Sequence, residues 1–125
     1  MKLATLLWLQ LVYAILGAAY NVVSLSLSLM GKPPLSATNP VIGLVFMTVY
    51  ALALIPGRLR KVLVYRILMG VAIVGFGIFG IGVHIVNIFT HPELYQSILA
   101  WALAVGINVY GLVLNIIAVS GKYKS

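Results

Sequence analysis

The chain contains no cysteine and only one acidic residue, Glu93, among its 125 residues. The absence of cysteine excludes disulfides, thiolate metal sites and thiol nucleophiles. Charged residues make up only 7% of the chain, whereas soluble domains typically carry about 25%. So few charges match a water-exposed surface poorly, and we expect the protein to lie in a lipid bilayer.

Apolar sequence is what the chain has in abundance. Hydrophobic residues make up 63% of it, and the mean hydropathy is +1.17. Four segments approach or exceed the roughly 20 mostly apolar residues that a membrane-spanning helix needs. We predict an all-α membrane protein, a four-transmembrane-helix bundle that forms one domain over residues 1-125. The predicted spans are about 3-30, 40-56, 62-89 and 94-120, with Asn39 as the N-cap of the second.

The first segment begins like a signal peptide. Lys2 precedes an apolar run, and small residues follow at Gly17, Ala18 and Ala19. The apolar run continues to residue 30, which is too long for the core of a signal peptide. We therefore expect a retained first span.

Basic residues indicate the orientation in the membrane. With four spans, the two termini and the second loop share one side, and every basic residue but Lys32 lies there. Because cytoplasmic loops are rich in Lys and Arg, both termini are predicted to be cytoplasmic. The short loops are typical of a bacterial inner (cytoplasmic) membrane protein. The residues expected to contact anionic lipids, with no role for nucleic acid, are Arg58, Arg60, Lys61 and Arg66.

Polar and small residues align on one face of the first and fourth segments when successive residues are placed 100° apart. The first stripe consists of Gln10, Ala14, Gly17, Asn21, Ser24 and Ser28. The second consists of Ser97, Trp101, Ala104, Asn108, Gly111 and Asn115. Packing between helices explains both stripes. The alternative is that Gln10, Asn21, Asn108 and Asn115 line a polar path or a binding site for a solute.

The third segment is dense in glycine. Its helix-packing candidates are Gly70, Gly75, Gly77, Gly80 and Gly82. Three of them share a face with His84, while Gly75 and Gly82 point to the other side. Small residues allow helix backbones to approach closely. The pattern predicts that this helix is the centre of the bundle, and that one of its glycine faces serves a partner or a second copy.

Both histidines and the only acid fall within residues 84–93. Along a helix, His84 and His91 would lie about 10 Å apart, too far to share a metal ion, and we expect no metal site. Thr90 and Glu93 fit a capping box, which predicts that they start the fourth helix. Alternatively, His91 is the cap and Pro92 occupies the first helical position.

His84 lies on the glycine face, with Asn87 one turn beyond it. It is expected either to hydrogen-bond a neighbouring helix or to take part in binding or an interface. No second axial ligand for haem is evident, and we expect no cofactor. The spans contain no carboxylate for proton-coupled transport. No nucleophile with a base is evident, so we do not expect an enzyme.

Three functions follow from these features. The leading hypothesis is a non-catalytic accessory or structural subunit of a membrane complex, whose partners are other membrane-protein subunits or a second copy of itself. The first alternative is a small homo-oligomeric transporter or channel that uses the two polar stripes and His84. The second is a lipid- or quinone-binding anchor around His84, Tyr95 and Trp101.

Overall fold

Helices account for 80% of the chain, and there are no strands. The computed structural model describes residues 1–125. Four helices are long and apolar enough to span a membrane, which confirms the all-α, four-helix prediction. They are α1 (Leu3–Leu29), α2 (Pro40–Arg58), α3 (Val62–Thr90) and α4 (Ile98–Ser120).

The two chain termini meet at one end of the bundle. The Leu3 N–H donates to the Lys124 carbonyl at 2.7 Å, and the Lys124 N–H donates to the Met1 carbonyl at 2.8 Å. This end, which also carries the turn between α2 and α3, is called the basic end. At the opposite loop end, residues 30–39 and 91–97 are joined by a hydrogen bond from the Gln96 N–H to the Leu35 carbonyl at 3.2 Å.

Local sequence accounts for the shape of α2. Asn39 caps it as predicted, because its side-chain oxygen accepts hydrogen bonds from the backbone N–H groups of Val41 and Ile42 at 3.0 and 3.3 Å. The helix is interrupted at Leu54, between Pro40–Ala53 and Ile55–Arg58. Pro56 explains the break, because it has no N–H to donate and its ring crowds the preceding turn.

The glycine-dense part of α3 is not a regular α-helix. A π-helical segment, Gly77–Gly82, lies between Val62–Phe76 and Val83–Thr90. Because π-helical hydrogen bonds run from i to i+5, residues beyond the segment are rotated relative to a regular helix. The predicted common face is therefore broken: Gly80 packs against Asn108, whereas Gly77 meets no neighbouring side chain.

The helix α3 is the least buried of the four, so the prediction that it is the centre of the bundle is wrong. We compared the most apolar stretch of each helix. In α1, 33% of this stretch is buried inside the bundle, whereas in α3 only 11% is buried. Gly70 only touches Val119, at 4.0 Å, and Gly75 meets nothing within 4 Å. Gly82 meets only a carbonyl of its own helix. Packing of glycines on both sides of α3 therefore does not occur within the chain.

The start of α4 also differs from the prediction. Ser97 is the N-cap, with its hydroxyl accepting a hydrogen bond from the Ala100 N–H at 3.0 Å. Thr90 instead ends α3 and donates to the Val86 carbonyl, while Glu93 lies in a short 3₁₀ turn, Pro92–Leu94. The physical reason is Tyr95, which is buried in an extended conformation and delays the helix until residue 98.

The core holds amides and phenols as well as apolar side chains. Gln10 is fully buried; its Nε2 donates to Asn115 Oδ1 at 3.2 Å, and its Oε1 accepts from the Tyr65 hydroxyl at 2.5 Å. The Tyr50 hydroxyl donates to the same Asn115 oxygen at 2.6 Å. Since each of the four helices contributes one of these residues, the network fixes their relative positions.

Close packing between α1 and α4 is tested by two glycines of α4. A Cβ at position 111 would lie 2.5–2.7 Å from the Tyr13 ring, whereas one at 106 would meet nothing within 4 Å. We expect Gly111→Ala to destabilise the fold by about 1–3 kcal/mol through overpacking. Gly106→Ala should be neutral or stabilising, because glycine in a helix costs roughly 0.5–1 kcal/mol relative to alanine. Thermal unfolding in mild detergent measures both, and equal midpoints would contradict the packing.

Candidate binding cavity

The two predicted polar stripes face each other inside the bundle. Gln10 bonds Asn115, as described, and the Tyr13 hydroxyl donates to Asn108 Oδ1 at 2.9 Å. The Asn108 Nδ2 in turn donates to the Ala104 carbonyl of its own helix at 2.9 Å. These amides are therefore largely occupied by protein partners. Toward the basic end they close the bundle rather than line a path through it.

His84 joins three separate parts of the chain. Its Nδ1 lies 2.5 Å from the Tyr95 hydroxyl and its Nε2 lies 3.2 Å from the Thr38 hydroxyl. Its backbone carbonyl accepts a hydrogen bond from the Trp101 indole N–H at 2.9 Å. These four residues form the His84 cluster. A neutral imidazole, with one donor and one acceptor nitrogen, satisfies both hydroxyl contacts.

The acidic residue plays no part in this cluster. Glu93 is exposed, and its carboxylate lies 3.3 Å from Nδ1 of the exposed His91.

Burial raises the pKa of Tyr95, and the neighbouring Asn87 amide opposes this increase. The Tyr95 phenol therefore keeps its proton at neutral pH and can donate it to the imidazole.

Further hydrogen bonds hold the two loops over the loop end. The Leu35 N–H donates to the Ser24 hydroxyl of α1 at 3.0 Å. The Tyr20 hydroxyl of α1 donates to the Ala100 carbonyl, in the first turn of α4, at 2.7 Å. Together with the His84 cluster, these bonds connect α1, α3, α4 and both loops.

A cavity of about 360 Å³ lies in the half of the bundle next to the loop end. It is called the side cavity and is bounded by Asn21 of α1, Phe46 of α2, Phe79 and His84 of α3, and Asn108 of α4. Its volume falls in the range of small-molecule sites, which is about 300–1,000 Å³. Most of its wall is apolar, with a few polar groups, as is typical of such sites.

The side cavity opens sideways between α2 and α3. Cα atoms of Pro40–Ala53 stay more than 8 Å from those of residues 77–90, although they approach Val62–Phe76 more closely. At the gap, Phe46 and Phe79 are 49% and 65% exposed. If the helices span a bilayer, this opening faces the acyl chains rather than water.

Asn21 and Asn87 supply amides to the cavity. Asn21 Nδ2 donates to the Gly17 carbonyl at 2.8 Å, and its oxygen packs closely against Gly43. Asn87 lies about one turn beyond His84 and is half-buried. Both side chains therefore lie where a bound molecule can contact them.

The predicted lipid-contacting cations lie at the basic end, away from the cavity. Arg58, Arg60 and Lys61 are exposed. Arg66 has a defined partner instead: its guanidinium donates from Nε and Nη2 to the Val119 carbonyl at 2.9 and 2.6 Å. A cation at this position satisfies a backbone carbonyl that the C-terminus of α4 leaves without a helical partner.

Four residues predicted from the sequence line the side cavity: His84, Asn87, Asn21 and Asn108. Thr38 was not predicted, because it lies in a loop and carries no periodic signal. The tyrosines of α2 and α3 were not predicted either, because they stand within apolar runs. Only the need of a buried imidazole for two hydrogen-bonding partners could have pointed to a loop hydroxyl.

Comparisons of the chain with protein-family models, curated protein sequences and solved structures find no match.

The contribution of the His84 cluster can be measured with two tyrosines. Tyr95→Phe removes the hydroxyl beside His84 Nδ1 and leaves a buried nitrogen unpaired, so we expect a loss of about 1–3 kcal/mol in stability. Tyr123→Phe is the matched control, because the buried Tyr123 hydroxyl has no hydrogen-bond partner. Thermal unfolding in mild detergent should lower the midpoint for Tyr95→Phe alone. A similar decrease for both variants would show that the bond to His84 contributes nothing specific.

Proposed function

We propose that the protein is a small polytopic membrane protein that acts without catalysis and holds an amphiphilic molecule of the bilayer in the side cavity. The observation that supports this function is the form of the cavity. Apolar side chains border its sideways opening, and amides of α1 and α4 form part of its lining. A molecule with a polar head and an apolar chain can enter head first from the membrane and leave its chain among the lipids.

The contacts of His84 support a binding role rather than catalysis. The hydrogen bonds of the His84 ring link it to Thr38 on one side and Tyr95 on the other. A hydrolytic triad has the same order, with a nucleophile, a base and a group that orients the base. The third group is a phenol, however, and not the carboxylate that stabilises an imidazolium in hydrolytic triads. No acidic side chain is close enough to replace it, because Glu93 is exposed and pairs with His91.

Assembly with other membrane proteins is the second candidate, and the exposure of α3 favours it. This helix is the least buried of the four. Gly75 and Gly77 offer a surface without a neighbour, where another helix could approach closely. The partner would be another membrane-protein subunit or a second copy. The transporter alternative stays a prediction; of the amides that it invokes, Gln10 and Asn108 bond to other residues of the chain.

We also propose that both termini are cytoplasmic. The short loops are typical of a bacterial inner membrane protein, so we propose that membrane as the location. Apart from Lys32, the basic residues lie at or near the basic end, and cytoplasmic ends of membrane proteins carry most Lys and Arg. The side cavity would then lie in the outer half of the membrane, next to the non-cytoplasmic face.

Orientation can be tested by labelling, because the chain has no natural cysteine. Gln96→Cys places a thiol at the loop end and Ser125→Cys places one at the basic end. We expect a membrane-impermeant maleimide to label intact cells only through Gln96→Cys. Permeabilised cells should show labelling of both variants, which controls for access. Labelling of Ser125→Cys alone in intact cells would reverse the orientation.

Binding can be tested by closing the cavity opening. Val83 lines the cavity, whereas Val86 of the same helix is 60% exposed and lies outside it. We expect native mass spectrometry of wild-type protein, extracted gently from its own membrane, to show a bound small amphiphile. Val83→Trp should reduce its occupancy by about tenfold, which corresponds to about 1.4 kcal/mol. Val86→Trp should leave the occupancy unchanged.

Either of two results would contradict the binding function. One is that the extracted protein carries no small molecule, and the other is that both tryptophan variants retain it equally. Co-migration with unlike subunits, without any bound amphiphile, would favour the second candidate.

A further inference from the structure

The side cavity carries no charge of its own. None of the side chains that line it is Lys, Arg, Asp or Glu. The nearest cation in sequence, Lys32, is exposed and lies outside the lining, and Glu93 is exposed and paired with His91. An ionic headgroup in the cavity would therefore lose its water without gaining a counter-ion, which is strongly unfavourable.

Several polar atoms that line the cavity already have protein partners. The Tyr20 hydroxyl donates to the Ala100 carbonyl, and both ends of the Asn108 amide are bonded. The two ring nitrogens of His84 face Thr38 and Tyr95. These groups shape the cavity but have little hydrogen-bonding capacity left for a ligand.

Three other side chains retain hydrogen-bonding capacity. The Asn21 oxygen accepts no hydrogen bond, because only its Nδ2 is bonded, to the Gly17 carbonyl. Ser36 accepts from the Thr38 N–H, and its buried hydroxyl donates no hydrogen bond of good geometry, although it lies near the Tyr20 hydroxyl. Asn87 forms no hydrogen bond of good geometry, although its amide lies near Tyr95. The cavity therefore offers a ligand at least one acceptor and one donor.

The volume of the cavity limits the part of a ligand that it can hold. Each water occupies about 30 Å³ in the liquid, so about 360 Å³ corresponds to roughly twelve water-sized groups. This is enough for a small headgroup and the first part of one chain. The rest of the chain can pass between Phe46 and Phe79 into the bilayer.

We propose that the ligand is a single-chain lipid with a small, uncharged, hydroxyl-bearing headgroup, such as a glycerol monoester. This inference rests on the proposed binding function and adds the chemistry of the headgroup. A hydroxyl both donates and accepts, so it matches the Asn21 oxygen and the donors of Ser36 and Asn87. Headgroups with a fixed charge of either sign are excluded by the lack of a counter-ion.

Three photoactivatable lipids test the headgroup. They share one alkyl chain with a diazirine near the head, and they carry a glycerol ester, a sulfate ester or a trimethylammonium group. In vesicles of uncharged phospholipid that contain the full-length protein, we expect the glycerol probe to label residues around the cavity about tenfold more than either charged probe. Val83→Trp should reduce this labelling about tenfold, and Val86→Trp should leave it unchanged.

A charge introduced at Asn87 provides the second measurement. In Asn87→Asp, the new carboxylate supplies the missing counter-ion, so labelling by the trimethylammonium probe should rise at least to the level of the glycerol probe. Ser28→Asp, an exposed position on α1 outside the cavity, is the control and should change nothing. An unaltered probe preference in Asn87→Asp would overturn the placement of the headgroup beside Asn87.

The remaining outcomes separate the two proposals. If a charged probe labels the wild-type cavity as strongly as the glycerol probe, and Val83→Trp blocks both, the uncharged headgroup is wrong while the binding function stands. If none of the probes labels the cavity more than it labels Val83→Trp, the headgroup inference has failed. Absence of any co-purified amphiphile as well would mean that the binding function has failed with it.

Discussion

In a helical bundle that spans a membrane, buried amides have to find their partners within the protein, because lipid offers none. Gln10 of α1 does so here by bonding to Tyr65 of α3 and Asn115 of α4, although the Asn115 Nδ2 itself has no partner. Tyr50 of α2 completes the same group. The four helices are thus joined firmly about two turns from the basic end. Beyond this level α2 and α3 separate, whereas α1 and α4 stay joined through Tyr13 and Tyr20.

A second set of bonds closes the opposite end. His84 connects α3 to both loops through Thr38 and Tyr95, so the loops stay over the bundle even though α2 and α3 have parted. The side cavity lies between these two joined levels. It is therefore bounded at both ends along the bundle axis by hydrogen bonds, and apolar side chains such as Phe46 and Phe79 border its sideways opening. The hydrogen bonds limit the length of the cavity along the helices, while exposed apolar residues limit the width of its opening.

Hydropathy located the four spans, and Asn39 followed by proline marked the start of α2 correctly. Regular 100° spacing also placed Gln10 and Asn21 in the interior, because α1 is a continuous helix. The same spacing failed along α3, since the π-helical segment Gly77–Gly82 rotates the residues after it. The start of α4 was mispredicted for a different reason. The backbone at Tyr95 is extended where its hydroxyl contacts His84. A contact between a loop tyrosine and a helical histidine produces no periodic pattern in the sequence, so it could not be predicted.

The network around Gln10 also has a consequence for the order in which the chain is built. Gln10 is made before its partner Asn115, which lies 105 residues later. At roughly 5–20 residues per second, ribosomes need about 5–20 seconds to synthesise that interval. During this time the Gln10 amide in α1 lacks its final partner, and Tyr65 arrives before Asn115. The helix α1 is therefore synthesised before its polar contacts can be completed, and α4 supplies the partner that completes them.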